Sequence, residues 1–195
     1  MNEIFLSASV PLKGRKYFEG SDPLLIHAAV RAFAMLVLGR RHIVWGGHPS
    51  ITPMMWAACE SLGVEYAKCV TLYQSSFFRD FFPEENKGFR NVRYVDKQDD
   101  LASSLWMLRM EMFKRPNFEA AVFIGGMEGV EDEYSLFRKL HGDKTCLLVS
   151  SPGGAAAVLA ARLDDRSDQD RNSTNFTKLY IEKLGISPSD KRSLD

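Results

Sequence analysis

The sequence has 195 residues, a length that suits one compact domain with a modest extension, and 45% of them are hydrophobic, which is enough for a substantial core. Charged residues make up 26%, and the 14 Gly and 8 Pro are too few for a collagen-like, low-complexity or wholly disordered chain. Lys plus Arg and Asp plus Glu each number 25, so the formal net charge is zero, and we expect neither nucleic acid nor a membrane as a partner.

The cysteines and the amino terminus indicate the compartment. Cys59, Cys69 and Cys146 are odd in number and are spaced like neither a disulfide scaffold nor a zinc site, so they are most simply small core residues. The first residues lack a basic segment followed by a long apolar run. We therefore expect a cytoplasmic protein that holds no metal and no cofactor.

The predicted elements alternate between strands and helices. In chain order they are strand 4–6, helix 22–39, strand 42–45, helix 52–63, strand 68–72, strand 92–95, helix 100–114, strand 120–124, helix 129–140, strand 145–149 and helix 155–163. This alternation predicts an α/β fold: a doubly wound, mainly parallel sheet with helices on both faces.

Two segments depart from the alternation. Residues 73–90 contain Phe77, Phe78, Phe81 and Phe82 among charged and turn-forming residues and indicate a long loop or a short irregular helix, and such length is often functional. Residues 164–175 are polar and lack periodicity, so we expect an exposed linker, followed by a short docked helix at 176–184 and a frayed tail. The predicted organisation is a nucleotide-binding domain at 1–163 with an extension at 164–195.

Three pairs of glycines each follow a predicted strand and precede a predicted helix: Gly46 with Gly47, Gly125 with Gly126, and Gly153 with Gly154. In a parallel sheet they gather at one edge, where helix amino termini attract anions. A tight turn explains any single pair equally well, but three together favour a phosphate-bearing ligand. Neither the P-loop pattern nor the usual dinucleotide-binding pattern is present.

Glu133 and Arg109 are the candidate catalytic residues. Glu133 lies one turn into a predicted helix beside its packing face, although a contact with the helix dipole, open equally to Glu131 and Asp132, would also explain it. Arg109 borders the apolar stripe of helix 100–114, where most arginines simply extend their charge to water. Together they suit cleavage at an anomeric carbon, with the guanidinium on a phosphate and the carboxylate at the ribosyl centre.

Four sequence segments resemble the SLOG superfamily, a Rossmann-like group that includes the Lonely Guy phosphoribohydrolases and ligand-sensing domains of bacterial defence systems. The opening IFLSASVP and the later VWGGHPSITPMM are similar to its first two strands and their loops. The enzymes carry a helix arginine sixteen residues before the first glycine of PGGxGTxxE, and Arg109 stands sixteen residues before Gly125. Gly129-Val-Glu-Asp-Glu133 is similar to the GTxxE half. The resemblance covers roughly residues 3–162.

The chain departs from the enzymes at three positions of these motifs. Ile124 stands in place of proline, Val130 in place of threonine and His48 in place of a glycine, and one extra residue separates the motif's glycines. The resemblance implies hydrolysis of the N-glycosidic bond of a nucleotide or an NAD-related molecule. The alternative that it implies is a non-catalytic sensor of an NAD-derived or other nucleotide signal in bacterial defence.

The expected nucleotide site lies at one rim of the sheet, with Arg109 and Glu133 as its catalytic residues. The expected binding residues are Ser7, Ala8, Ser9, Gly46, Gly47, His48, Ser50, Thr52, Gly125, Gly126, Met127, Glu128, Gly129, Val130, Ser151 and Gly153. We expect a homodimer, because helix 100–114 carries Trp106 and several methionines, and we expect an effector protein as a further partner. An inert scaffold is the third alternative if no nucleotide binds.

Overall fold

The computed structural model describes residues 1–163 and 172–194. Its core is a single sheet of six parallel strands: β1 (Glu3–Ser9), β2 (His42–Trp45), β3 (Val70–Ser75), β4 (Asn91–Val95), β5 (Phe118–Gly125) and β6 (Thr145–Val149). Their order across the sheet is β4-β3-β2-β1-β5-β6, and every neighbouring pair runs parallel. The predicted doubly wound α/β fold is confirmed.

Helices cover both faces of the sheet. They are α1 (Pro23–Val37), α2 (Thr52–Leu62), α3 (Leu101–Phe113), α4 (Glu128–Leu140), α5 (Gly154–Leu163) and α6 (Phe176–Leu184). Helices α1, α2 and α6 pack on one face, and α3, α4 and α5 pack on the other. The predicted start of the first helix is confirmed, since the Asp22 carboxylate accepts hydrogen bonds from the amides of Leu24 and Leu25.

Alternation along β1 divides the core between the two faces. Ile4 and Leu6 pack toward α1 and α2, whereas Phe5 points to the other face. There the Phe5 ring lies 4.7 Å from the ring of Phe113 and 6.0 Å from that of Phe137, measured between centroids. This aromatic cluster holds α3 and α4 against the sheet and so places the two helices that carry the candidate catalytic residues.

The third strand lies later than predicted. Residues 68–72 were expected to form it, but Val64–Cys69 is a 3₁₀ helix and β3 runs from Val70 to Ser75. The strand extends because its last residues pair in parallel with β4, Ser75 opposite Val95. The strand therefore reaches the sheet edge at which β1 and β2 also end.

The chain reverses its direction of winding at β1. Strands β1 to β4 are laid down outward in order, and the chain then returns to place β5 on the other side of β1. Helix α1, which follows β1, and helix α4, which follows β5, therefore leave the sheet toward opposite faces. Such a reversal opens a crevice beyond the carboxyl ends of the two central strands.

The carboxyl-terminal tail is ordered, contrary to the expected fraying. Ile186 is fully buried in the core that α1 and α6 share, and the amide of Ser193 donates to the carbonyl of Gly39. The Arg192 guanidinium donates to the carbonyls of Met35 and Leu38, which lie at the end of α1. These bonds satisfy carbonyls that a helix end otherwise leaves unpaired. Of the expected linker, residues 164–171 lie outside the described part.

Helix α3 leaves part of its apolar surface open. Leu101 is 46% exposed and Trp106 is 52% exposed. The expected homodimer through this helix stays a prediction. In the described part of the chain, no helix combines the length and the apolar character that a membrane span requires.

We predict that Gly154→Ala destabilises the protein by about 1–3 kcal/mol, because the substitution forces a side chain into left-handed backbone. Gly154 has a φ of +74°, and an added Cβ would lie 2.5 Å from the carbonyl carbon of Gly125. Thermal unfolding followed by circular dichroism measures the loss. Gly20→Ala is the matched control, since a Cβ at Gly20 meets no atom within 4 Å; equal melting temperatures for the two variants would contradict the prediction.

We also predict that deleting residues 186–195 lowers stability by at least the burial energy of Ile186, about 1.5–3 kcal/mol. The urea midpoint of unfolding measures this effect. Leu194→Ala is the control, since that side chain is 40% exposed and contributes little. A truncated protein with an unchanged midpoint would show that the tail does not stabilise the fold.

Candidate functional site

A cavity of about 390 Å³ opens at the carboxyl ends of the central strands. The end of β1, the loop after β2 and the end of β3 form one part of its wall. Helix α3, the first turns of α4 and residues 76–83 form the rest. The cavity is therefore at the rim where the reversal of winding predicts a ligand crevice.

Glu133 lies in the cavity wall between a hydroxyl and a guanidinium. The Ser7 hydroxyl donates to Glu133 Oε2 at 2.5 Å, and Arg109 Nε lies 3.6 Å from Glu133 Oε1. The three residues come from β1, α4 and α3, so the fold brings together positions far apart in the sequence. The Glu133 side chain is 20% exposed, which leaves it open to the cavity.

Burial raises the pKa of Glu133 above the usual range of a glutamic acid. The nearby Arg109 charge and the hydrogen bond from Ser7 oppose this effect, because both favour the ionised form. A carboxylate whose pKa is moved toward neutrality is a better proton acceptor than one on the surface.

Arg109 is held in place by the first turn of α4. Its side chain is 10% exposed, Nη1 donates to Asp132 Oδ2 at 3.1 Å and Nη2 donates to the Gly129 carbonyl at 3.5 Å. Its Nε is buried and makes no hydrogen bond within the described residues, although Glu133 lies near it. The guanidinium thus borders the cavity with its Nε paired in charge with Glu133 but not hydrogen-bonded.

The other acidic side chains at the start of α4 have different environments. Glu131 accepts a hydrogen bond of 2.6 Å from the Tyr17 hydroxyl and one of 2.9 Å from Arg162, and the bond from Tyr17 is the main cause of its lowered pKa. The Asp132 side chain is 64% exposed, and Glu128 lies 3.6 Å from Arg15. Among Glu128, Glu131, Asp132 and Glu133, only Glu133 lines the cavity.

His48 lies in the loop after β2 with a defined proton position. The amide of Ser50 donates to His48 Nδ1 at 3.2 Å, so Nδ1 is the acceptor and the ring proton sits on Nε2. The Ser50 hydroxyl lies 2.8 Å from the same nitrogen and accepts from the amide of Val10. Burial lowers the pKa of His48, which favours the neutral ring, and in the tautomer that accepts at Nδ1 the Nε2 is a hydrogen-bond donor.

The later glycine pairs hold the turns together by close backbone contact. The Gly126 amide donates to the Ser9 carbonyl at 2.8 Å, and the Ala155 amide donates to the Gly126 carbonyl at 3.0 Å. A Cβ at Gly153 would lie 1.8 Å from the Gly20 carbonyl oxygen. The pair at 153 and 154 therefore packs against neighbouring backbone.

The structure divides the expected site residues into two groups. Those in the cavity wall are Ser7, Ala8, Ser9, Gly46, Gly47, His48, Arg109, Met127, Gly129, Val130 and Glu133. Those outside the wall are Ser50, Thr52, Gly125, Gly126, Glu128, Ser151 and Gly153. Thr52 of the second group supports the cavity wall, because this fully buried residue donates to the His48 carbonyl at 3.0 Å. Ser151 instead donates to the carbonyl of Ser173, which does not line the cavity.

The sequence did not identify one part of the wall. Gln74 and Ser75 at the end of β3 line the cavity, as do Phe78, Phe81 and Phe82 from the following segment. The length of residues 73–90 and the phenylalanine pairs at 77–78 and 81–82 were the signal, but the predicted strand ended at residue 72 and so left Gln74 and Ser75 in a loop instead of on β3. Within the described residues, no group of three acidic, histidine or cysteine side chains could hold a metal ion.

Comparison with known proteins places this arrangement in a family. A family model described as the SLOG cluster3 family matches residues 16–184. The match extends through α6 and thus includes the helix that docks on α1. No curated protein and no solved structure matches the chain. Because the matched region spans most of the sequence, the chain belongs to the SLOG cluster3 family, and this membership points to a nucleotide-related function.

Proposed function

We propose that this protein binds a nucleotide in the cavity and hydrolyses its N-glycosidic bond, with a nucleotide or an NAD-related molecule as substrate. The observation that carries the proposal is the Glu133 carboxylate, held between Ser7 and Arg109 in the cavity wall. Buried carboxylates beside a substrate-sized cavity are typical of acid–base catalysis. The family membership supports a nucleotide as the ligand.

The chemistry follows from the charge that develops during cleavage. When the bond between C1′ and the base nitrogen breaks, the base leaves with the electron pair and C1′ becomes cationic. The Glu133 carboxylate stabilises that positive charge and accepts a proton from the attacking water, whose oxygen forms the new bond to C1′; this proton then passes to the departed base or to solvent, which restores the carboxylate. Ser7 orients the carboxylate through its hydrogen bond.

The phosphate requires donors on the same wall. Arg109 supplies a cation, and the neutral His48 offers the Nε2 proton. In the described part of the chain no side chain caps the amino terminus of α4, so its first amides and its dipole add to the attraction for an anion. The backbone of Gly46 and Gly47 completes this part of the wall.

A non-catalytic sensor is the second candidate, and two observations favour it. Asp132 and the Gly129 carbonyl already occupy donors of Arg109, which reduces its capacity to hold a phosphate. Val130 lines the cavity where the similar enzymes carry a hydroxyl. In this function the same pocket binds the nucleotide without cleavage and reports to an effector protein in bacterial defence.

We predict that Glu133→Gln reduces base release by about 10²- to 10⁴-fold, because the amide neither accepts the proton nor stabilises the cationic centre. The assay incubates the protein with AMP, other nucleoside monophosphates, NAD and cyclic ADP-ribose and measures the free base by chromatography. Ligand-induced shifts in melting temperature report binding in parallel.

Glu131→Gln is the matched control for that variant. It removes the same charge from the same helix, but the Glu131 side chain contacts Tyr17 and Arg162 outside the cavity wall. Base release that persists in Glu133→Gln would contradict the hydrolytic mechanism. Thermal stabilisation without any base release would favour the sensor, and the absence of both would contradict both functions.

We further predict that Ser7→Ala moves the acidic limb of the pH–rate profile to higher pH. Activity requires the carboxylate form, so it falls as the pH drops through the pKa of Glu133. The Ser7 hydrogen bond lowers that pKa, and its removal raises it further. The profile of kcat/KM against pH measures the limb, and an unchanged or lower position would show that Ser7 does not tune Glu133.

A further inference from the structure

One part of the cavity wall is aromatic. Residues 76–83, which we call the aromatic flap, contribute Phe78, Phe81 and Phe82 to the cavity. Glu133 and Arg109 line the same cavity from α4 and α3. The cavity wall therefore combines charged side chains with rings suited to a flat apolar group.

The flap is fixed at its two ends. The Ser75 hydroxyl accepts a hydrogen bond from the Phe77 amide, which begins the 3₁₀ helix Ser76–Phe81. Beyond the flap, the buried Phe89 ring packs with its centroid 6.3 Å from Trp45 and 5.8 Å from Trp56. The chain is thus anchored before the flap at Ser75 and again after it at Phe89.

Within the flap, the ring of Phe81 lacks a partner ring among the described residues. Phe82 stacks on Tyr94 at 5.8 Å, and Phe77 packs edge-on against Phe78 at 5.2 Å. Phe81 is 73% exposed although it lines the cavity. An aromatic ring left open at a cavity mouth is suited to stack on a ligand.

Gln74 adds hydrogen-bonding capacity beside this aromatic side. The residue is 7% exposed and lines the cavity, and Nε2 makes a long bond of 3.4 Å to the Gly46 carbonyl. No described residue donates to its Oε1. A carboxamide presents a donor next to an acceptor and pairs with a base edge that presents the complement.

We propose that Phe81 of the aromatic flap and Gln74 form a base subsite, in which Phe81 stacks on a heteroaromatic base and Gln74 pairs with a base edge carrying a donor beside an acceptor. This inference rests on the proposed function, because it requires a nucleotide in the cavity. The phosphate then lies near Arg109, and C1′ lies beside the Glu133 carboxylate.

The test measures binding of two probes by calorimetry. Carbocyclic AMP carries the base but a cyclopentane in place of the ribose ring, so it has no N-glycosidic bond to hydrolyse. Ribose 5-phosphate carries the sugar and phosphate without a base. Phe81→Ala is expected to weaken carbocyclic AMP by about tenfold and to leave ribose 5-phosphate unchanged, since loss of stacking affects only the base.

Three further variants separate stacking from folding. Phe77→Ala removes a ring from the same 3₁₀ helix that lies outside the cavity wall, and it is expected to bind both probes like the wild type. Phe81→Trp keeps a stacking surface and should retain affinity for carbocyclic AMP. Gln74→Leu keeps the volume but loses the paired hydrogen bonds, and about tenfold weaker binding of carbocyclic AMP alone is expected.

The outcomes distinguish the subsite from the proposed function. Wild-type affinity of Phe81→Ala for carbocyclic AMP, or equal wild-type affinity for the two probes, overturns the subsite and leaves the hydrolysis proposal standing. Failure of the wild type to bind carbocyclic AMP overturns the subsite, whereas the proposed function is overturned only if no nucleotide of the base-release panel binds or is cleaved. Selective loss of carbocyclic AMP supports the subsite, whatever the base-release assay shows for Glu133→Gln.

Discussion

Close backbone contact beyond β1 and β5 is the constraint on which the candidate site depends. Gly125 and Gly126 have φ values of +61° and +79°, and a Cβ at Gly125 would lie 2.8 Å from the Ser9 carbonyl oxygen. Only glycine adopts this backbone at such proximity without strain. The turn therefore ends beside β1 and directs α4 so that Glu133 reaches Ser7. A wider turn would carry the carboxylate away from the hydroxyl that orients it.

Opposing effects act on the charge of Glu133 in the ion pair of the site. Burial opposes the charge on Glu133, whereas Arg109 and Ser7 favour it, and burial has the larger effect, so the pKa of the carboxyl group is raised. Arg109 is in turn fixed by Asp132 and the Gly129 carbonyl. A partly buried carboxyl group with a shifted pKa costs folding free energy, and such groups cluster at functional sites.

The fold was predictable because the hydrophobic pattern alternates between strand and helix along nearly the whole chain. The convergence of Ser7, Arg109 and Glu133 on one rim followed from parallel topology and from the resemblance to a known family.

The tail was mispredicted because its polar composition conceals one buried residue, Ile186, and hydrogen bonds that end α1. Such bonds depend on distant carbonyls, which composition does not show. The aromatic wall was missed because pairing with β4, not local propensity, determines where β3 ends.

The anchoring of the tail also decides where the polypeptide leaves the domain. Ser193 is bonded to Gly39, which precedes β2, and the Asn2 carbonyl accepts from the His42 amide at the start of that strand. Both ends of the described chain therefore emerge at the rim where strands begin, opposite the cavity mouth. A reporter or an immobilising group attached at either terminus projects from the back of the domain, so ligand entry stays unobstructed in surface-coupled or fused forms.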